Sequence, residues 1–132
     1  MSSISRVTSC IAALMLVLLA GCVVPPSSRL GLMDVSERPA EKALLAGMRA
    51  YDDGQYPQAE QSLNQALTAG LASGKDRAAA HKYLAFIYCT SNRVPACEAQ
   101  FRAARVDDPA FALSKAEAGH PQWGPVYLRV QR

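Results

Sequence analysis

Histidine is scarce in this sequence: His81 and His120 are the only two histidines among 132 residues. Neither has a sequence neighbour that completes a catalytic triad or a cluster of zinc ligands. The paired carboxylates Asp52-Asp53 and Asp107-Asp108 fall at predicted helix ends, where solvated acids are ordinary. No cofactor-binding motif is present. The sequence therefore predicts a protein that is not an enzyme, holds no metal, needs no cofactor and has no small-molecule substrate.

A block of basic residues is also missing. The formal net charge is +3, from 14 lysines and arginines against 11 acidic residues, and these charges are spread along the chain. Proteins that bind nucleic acids usually concentrate positive charge on one face or in one stretch. We therefore expect no nucleic-acid partner.

Only one long apolar run occurs, near the N-terminus, and it is short for a membrane span. The stretch from Cys10 to Val24 falls below the roughly 18 to 20 residues that a transmembrane helix needs. Arg6 precedes it, the apolar centre runs from Ile11 to Leu19, and the small residues Ala20 and Gly21 follow. A basic start, an apolar centre and small residues at the end are the parts of a secretory signal.

The four residues Leu19-Ala20-Gly21-Cys22 resemble the lipobox of bacterial lipoproteins. This resemblance implies that the Cys22 thiol takes a diacylglycerol and that a peptidase then removes residues 1–21. Two or three fatty chains anchor a protein durably to a membrane. Residue 23 is valine rather than aspartate, which in proteobacterial lipoproteins favours the outer membrane. We therefore expect a lipid-anchored outer-membrane protein that faces the periplasm.

One small domain is expected after the signal. The chain that remains without residues 1–21 has a length that suits a single domain with a modest core. Residues 22–38 include Pro25-Pro26, which favours an extended and solvated backbone, and we interpret them as a lipidated tether. Residues 39–119 carry a helical pattern, and residues 120–132 form a C-terminal tail that contains proline and tryptophan.

The fold class predicted from the apolar spacing is all-α. Sustained alternation of apolar and polar residues, which strands need, is absent, and from Pro39 onward apolar residues recur every three or four positions. Five helices are predicted. The four long ones run from Ala40 to Asp53, from Pro57 to Gly70, from the N-cap Asp76 to the turn at Ser91, and from Pro95 to Asp108. A short fifth helix begins at a capping box formed by Ser114 and Glu117. The first four form two antiparallel hairpins.

The two predicted hairpins are internal repeats. The segment from Gly47 to Ala66 aligns with the segment from Ala85 to Ala104, 38 residues later. The aligned pairs are Gly47 with Ala85, Gly54 with Asn92, Ala59 with Cys97, and Leu63 with Phe101. This pattern resembles the tetratricopeptide repeat, a helix–turn–helix unit of about 34 residues that a proline closes. The resemblance implies about two repeats and a short C-terminal helix, with an unrelated antiparallel bundle as the alternative.

Two cysteines remain once Cys10 has left with the signal and Cys22 carries lipid. Cys89 and Cys97 lie at the end of one predicted helix and at the start of its partner, across a tight turn. Exported proteins keep their disulfides because their compartment is oxidising. We predict a disulfide between Cys89 and Cys97, with two buried free thiols as the alternative.

Two surfaces are candidates for binding a partner. In tetratricopeptide domains the first helix of each repeat lines a concave groove. The matched positions here are Leu44, Met48, Tyr51, Asp52, Lys82 and Phe86. The second surface is the tail from Gly119 to Tyr127, where a stiff, non-helical segment displays Trp123 as an interface anchor. The alternatives are that Leu44 and Phe86 pack between the repeats and that Trp123 folds back onto the core.

The combined features resemble the TssQ-type lipoproteins associated with bacterial type VI secretion. The resemblance rests on Phe86-Ile-Tyr-Cys89, on Cys97-x₃-Phe101 and on the ending Ala116-Glu-Ala-Gly-His-Pro-Gln-Trp-Gly-Pro125. It implies a non-enzymatic accessory factor whose protein partner is a component of the secretion apparatus. A general envelope-assembly or pilotin-like adaptor is the first alternative, and a small periplasmic enzyme is the second.

Overall fold

The computed structural model describes residues 38–132. The predicted signal segment, the Cys22 lipidation site and the tether up to residue 37 lie outside the described residues. The described part of the chain contains six α-helices: α1 Pro39–Asp52, α2 Tyr56–Ala69, α3 Gly74–Thr90, α4 Val94–Asp107, α5 Lys115–Ala118 and α6 Gly124–Val130. Within residues 38–132 every regular element is a helix, which confirms the all-α prediction for this part of the chain.

Proline begins four of the helices. Pro39, Pro57, Pro95 and Pro125 lie in the first turns of α1, α2, α4 and α6. The first backbone N–H groups of a helix have no partner within it, so proline costs no hydrogen bond there, and its fixed φ suits the helix. These local signals explain why the predicted limits of the long helices lie close to the observed ones.

Side-chain caps start α3 and α5. Ser73, rather than the predicted Asp76, caps α3: its Oγ accepts a hydrogen bond from the Asp76 N–H at 3.3 Å. The predicted capping box of α5 is confirmed, because Ser114 and Glu117 each accept a hydrogen bond from the other's backbone N–H. The prediction for α3 was wrong because Gly74 and Lys75 belong to its first turn rather than to the preceding loop.

The turns of the two hairpins have the same geometry. Gly54 and Asn92, which are matched in the sequence alignment, both adopt a positive φ, of 73° and 61°. The next residues, Gln55 and Arg93, each donate a backbone hydrogen bond to the carbonyl five residues earlier, at 2.7 and 2.8 Å. The two turns that the sequence alignment matches therefore share one backbone geometry.

The helices pack in adjacent pairs around one hydrophobic core. α1 packs on α2, α3 on α4, and α2 on α3, while α6 packs on α4 and α5. Gly47 of α1 allows the close approach of α2: a Cβ atom at this position would lie 2.7 Å from Cγ of the fully buried Leu63. The matched small residues Ala59 and Cys97 are also fully buried. Small side chains at these positions let the helix axes approach within each hairpin.

A disulfide joins the two helices of the second hairpin. The structure links Cys89, near the end of α3, to Cys97, in the first turn of α4, and both residues are buried. The pairing is the one predicted from their positions across the turn.

The C-terminal tail differs from its prediction. We expected a non-helical segment, but Gly124–Val130 forms α6. Val126 and Tyr127 belong to the hydrophobic core, and the Tyr127 hydroxyl accepts a hydrogen bond from the Leu113 N–H at 3.1 Å. The helix forms because Pro125 suits its first turn and because its apolar side is buried against the body of the domain. Residues 120–132 are thus part of the folded domain.

Candidate functional site

The predicted partner-binding residues divide into a buried and an accessible group. Leu44, Phe86 and Trp123 are only 6, 3 and 8% exposed, and all three belong to the hydrophobic core. For these three, the prediction of a partner contact is corrected to a packing role, because a partner cannot reach them in this fold.

The other predicted residues belong to α1 and α3, the first helices of the two hairpins, which contact each other. Asp52 is exposed, while Met48, Tyr51 and Lys82 are partly buried. Tyr83 of α3 joins them because its ring contacts that of Tyr51. We call this set of five residues the α1–α3 face.

Tyr51 lies at the centre of the α1–α3 face. Its ring centroid is 5.0 Å from that of Tyr83 and 5.5 Å from that of Tyr56, with the rings tilted or edge-on. Burial, with a smaller contribution from the neighbouring Tyr56 and Tyr83, raises the pKa of Tyr51 to about 12. The Tyr51 hydroxyl is therefore protonated at neutral pH and can donate a hydrogen bond to a ligand.

Lys82 belongs to the α1–α3 face and connects it to α5. Its Nζ lies 2.8 Å from Oε1 of Glu117 and 5.1 and 5.8 Å from the ring centroids of Tyr83 and Phe86, which is within cation–π range. Burial opposes the ionisation of Glu117, but hydrogen bonds from Lys82 and Ser114 outweigh it and hold the pKa of Glu117 below its usual value. The ion pair fixes α5 against α3 at the edge of the face.

Trp123 lies between two other rings. It stacks on Phe86 with centroids 4.3 Å apart, and His120 stacks on it at 3.3 Å. The indole Nε1–H also donates a hydrogen bond to the Glu117 carbonyl at 2.8 Å. Of the two roles predicted for Trp123, the structure supports the one in which the residue folds back and caps the core.

His81 makes contacts that join two helices of the fold. The two ring nitrogens of His81 lie 2.6 Å from Oε1 of Gln100 and 3.3 Å from Oδ2 of Asp107. Arg77 donates to the other oxygen of Asp107 at 2.6 Å, so this network ties α3 to α4. Among residues 38–132 no group of three or more His, Cys, Asp or Glu side chains is placed to hold a metal ion.

One residue of the α1–α3 face, Tyr83, and two of its neighbours, Tyr56 and Glu117, were not identified from the sequence. Tyr83 precedes Phe86 by three positions, which places both on one side of α3, and this spacing could have identified it. Tyr56 begins α2 and its ring reaches back across the turn to Tyr51. Glu117 lies 35 residues after Lys82, and a contact over that separation leaves no local sequence signal.

Comparison with known proteins identifies no relative: no family model, no curated protein and no solved structure matches this chain. In the part of the chain that the structure describes, no helix has both the length and the apolar character needed to cross a bilayer.

Proposed function

We propose that this chain is a TssQ-type lipoprotein of the outer membrane, anchored through lipid on Cys22, which serves the type VI secretion apparatus as a non-enzymatic protein-binding accessory in the periplasm. The observation that carries the proposal is the α1–α3 face, where the partly exposed Tyr51 lies among other tyrosines and close to the charged side chains of Asp52 and Lys82.

The repeated hairpins support a tetratricopeptide-type scaffold. The matched turns at Gly54 and Asn92, and the buried small residues Ala59 and Cys97, recur in both hairpins. Such a scaffold presents the first helix of each repeat to a partner. In this chain α1 and α3 contact each other and supply every residue of the α1–α3 face.

The chemistry of the face suits a protein ligand. Tyrosine is enriched in binding hot spots because it combines a large apolar ring with a polar hydroxyl. The ring of Tyr51 can pack on an apolar side chain, while Asp52 and Lys82 can pair with charges on either side of it. An amphipathic helix or an extended peptide carries apolar and charged side chains in this arrangement.

Site-specific photocrosslinking tests the binding surface in intact cells. A photoreactive amino acid at Asp52, which is exposed on the α1–α3 face, should form an adduct with a component of the type VI apparatus. The same amino acid at Gln61, exposed on α2 opposite the buried Ala59 and Leu63, is the matched control and should not. Tyr51→Ala should reduce the Asp52 adduct more than tenfold if Tyr51 is a hot spot. Adducts of equal yield from both positions, or only with unrelated proteins, would refute the proposal.

A separate experiment tests the anchor. Cys22→Ser should leave an unprocessed precursor because serine cannot form the thioether that precedes cleavage. Cys10→Ser, a change within the predicted signal, is the control and should be processed normally. A Cys22→Ser protein that is still trimmed after Gly21 and still floats with outer membranes would show that the lipobox interpretation is wrong.

A further inference from the structure

The two ends of the helical stack can be distinguished by the chain segments they contain. Consecutive long helices are joined by short turns and pack on each other, so they run antiparallel. The start of α1, the start of α3 and the end of α4 therefore lie at one end. Arg77, in the first turn of α3, accordingly bonds Asp107, the last residue of α4. The tether enters the domain at this end, through Pro39.

A basic and apolar surface lies at the same end. Arg102, Arg105, Val106, Pro109 and Val130 line a shallow, open depression there, and we call these five residues the basic face. Val106 is 81% exposed, the largest exposure among the large apolar side chains described. The end of α6 belongs to this region, since Arg105 donates a hydrogen bond to the Val130 carbonyl at 2.7 Å.

Positive charge on the basic face is only partly neutralised by its contacts. Glu98 is shared between two guanidinium groups, those of Arg102 at 3.2 Å and Arg129 at 2.9 Å. Arg105 bonds a neutral carbonyl rather than a carboxylate. Arg102 and Arg129 thus share one carboxylate, and Arg105, the residue before the exposed Val106, has no carboxylate partner among the ion pairs of the described residues. At the opposite end of the stack, the exposed residues Asp52 and Asp53 close α1 with negative charge.

We propose that the basic face rests on the anionic lipid surface of the bilayer in which the chain is anchored. This proposal rests on the acylation of Cys22 proposed above, which holds the domain near the bilayer. Residues 22–38 connect the lipid to α1, and an extended polyproline-type chain of this length spans about 50 Å at roughly 3.1 Å per residue. They enter at the end that carries the basic face, so the attachment point of the tether and the basic face lie at the same end of the domain.

The residue types fit a lipid surface. Arginine is attracted to anionic headgroups, and an adjacent aliphatic side chain can enter the boundary between headgroups and acyl chains. Val106 protrudes into solvent instead of lining a deep pocket, which favours a bilayer over the side chain of a protein partner. In this orientation Asp52 and Asp53 point away from the anionic surface. The Tyr51 end of the α1–α3 face is then directed toward the periplasm.

Vesicle flotation of the non-acylated chain tests the proposal. The probe protein is residues 22–132 with Cys22→Ser, which keeps the whole described core from Ala40 to Val130. It should float with vesicles of phosphatidylcholine and phosphatidylglycerol at a ratio of about 3:1, less so as salt is raised, and not with pure phosphatidylcholine. The variant Arg102→Gln/Arg105→Gln/Val106→Ser should bind at least about 25-fold more weakly, since each arginine contributes about fivefold.

A matched variant on α1 controls for nonspecific loss of charge and apolar surface. Arg49→Gln/Leu45→Ser removes an exposed arginine and an exposed aliphatic side chain outside the basic face, and its vesicle binding should equal that of the parent. Urea unfolding of each variant shows whether the fold is kept. If the triple variant is unfolded, Val106→Asp replaces it, because a side chain this exposed contributes little to the core.

The outcomes separate the explanations. No binding to phosphatidylglycerol vesicles, equal binding to both lipid mixtures, or equal loss in the basic-face and control variants would each overturn the proposal. A chain that ignores vesicles but binds polyglutamate through Arg102 and Arg105 would assign the basic face to an acidic protein segment and also overturn it. Whether Cys22 carries the lipid is tested separately, by the processing of the Cys22→Ser precursor.

Discussion

The indole ring of Trp123 stacks on the phenyl ring of Phe86, with centroids 4.3 Å apart and planes 24° from parallel. This contact joins the C-terminal segment to α3. A second contact does the same for α4, since the ring of Tyr127 meets that of Phe101 edge-on at 5.3 Å. Two helical hairpins alone bury little apolar surface, and repeat proteins need a terminal cap. The segment from Ser114 to Val130 provides this cap.

Trp123→Ala should destabilise the domain strongly. The change removes a buried ring that stacks on Phe86 and a hydrogen bond to the Glu117 carbonyl. Loss of a buried aromatic side chain costs about 3 kcal/mol or more, which lowers Tm by more than about 10 °C in a domain of this size. Trp123→Phe keeps an aromatic ring but loses the hydrogen bond and part of the buried volume, so it should cost less than Trp123→Ala, about 1 to 2 kcal/mol. Thermal unfolding followed by circular dichroism measures both. A Trp123→Ala protein as stable as the parent would contradict the capping role.

Gly47→Ala should also destabilise the domain, although alanine is the better helix former. The added Cβ would lie 2.7 Å from Cγ and 3.1 Å from the backbone N of Leu63, so α1 and α2 must move apart. Overpacking of this kind costs about 1 to 3 kcal/mol, more than the roughly 1 kcal/mol gained from helix propensity. The control is Ala46→Gly, exposed on the same helix, which should cost only about 1 kcal/mol. A urea midpoint for Gly47→Ala above that of the parent would show that the helices are not in close contact there.

Local signals account for the parts of the fold that the sequence predicted well. Proline in the first turn, the positive-φ positions at Gly54 and Asn92, and the capping box at Ser114 each act over a few residues. The tail was misjudged because prolines and glycines on both sides of Trp123 resemble chain breakers. Pro125 instead occupies a first turn, and burial against α4 stabilises a helix of only seven residues.

The candidate site was predictable only in part, for a similar reason. Helical periodicity places Leu44 and Met48 on one side of α1, but it does not tell a buried position from an accessible one. For Phe86 that distinction depends on Trp123, which covers its ring from a distant part of the sequence. The pairing of Lys82 with Glu117 is equally non-local, since the two residues are 35 positions apart.

The disulfide between Cys89 and Cys97 should be present in protein purified without reductant. Intact-mass spectrometry without reductant should give a mass about two daltons below that of the reduced chain. By loop-closure entropy, a bridge across so short a turn contributes about 2 to 3 kcal/mol, so reduction should lower the unfolding midpoint of the parent. The Cys89→Ala/Cys97→Ala variant is the control, because reductant should not change its midpoint. Two alkylatable thiols in freshly isolated protein would rule the bridge out.

The ion pair between Lys82 and Glu117 should make stability depend on pH in the acid range. The pKa of Glu117 is lowered in the folded protein from a reference value of 4.5, so the unfolded chain binds its proton first as the pH falls. The stabilisation is therefore complete well above pH 4.5 and is lost progressively below it. Lys82→Met removes the main partner of Glu117, so the variant should be less stable than the parent at pH 7, and the difference should shrink toward about pH 3.

Lys75→Met, an exposed change in the first turn of α3, is the control and should show no such convergence. Urea midpoints across this range give the comparison. A gap between the parent and Lys82→Met that stays constant down to about pH 3 would mean that Lys82 stabilises the domain through its contacts with Tyr83 and Phe86 rather than through Glu117.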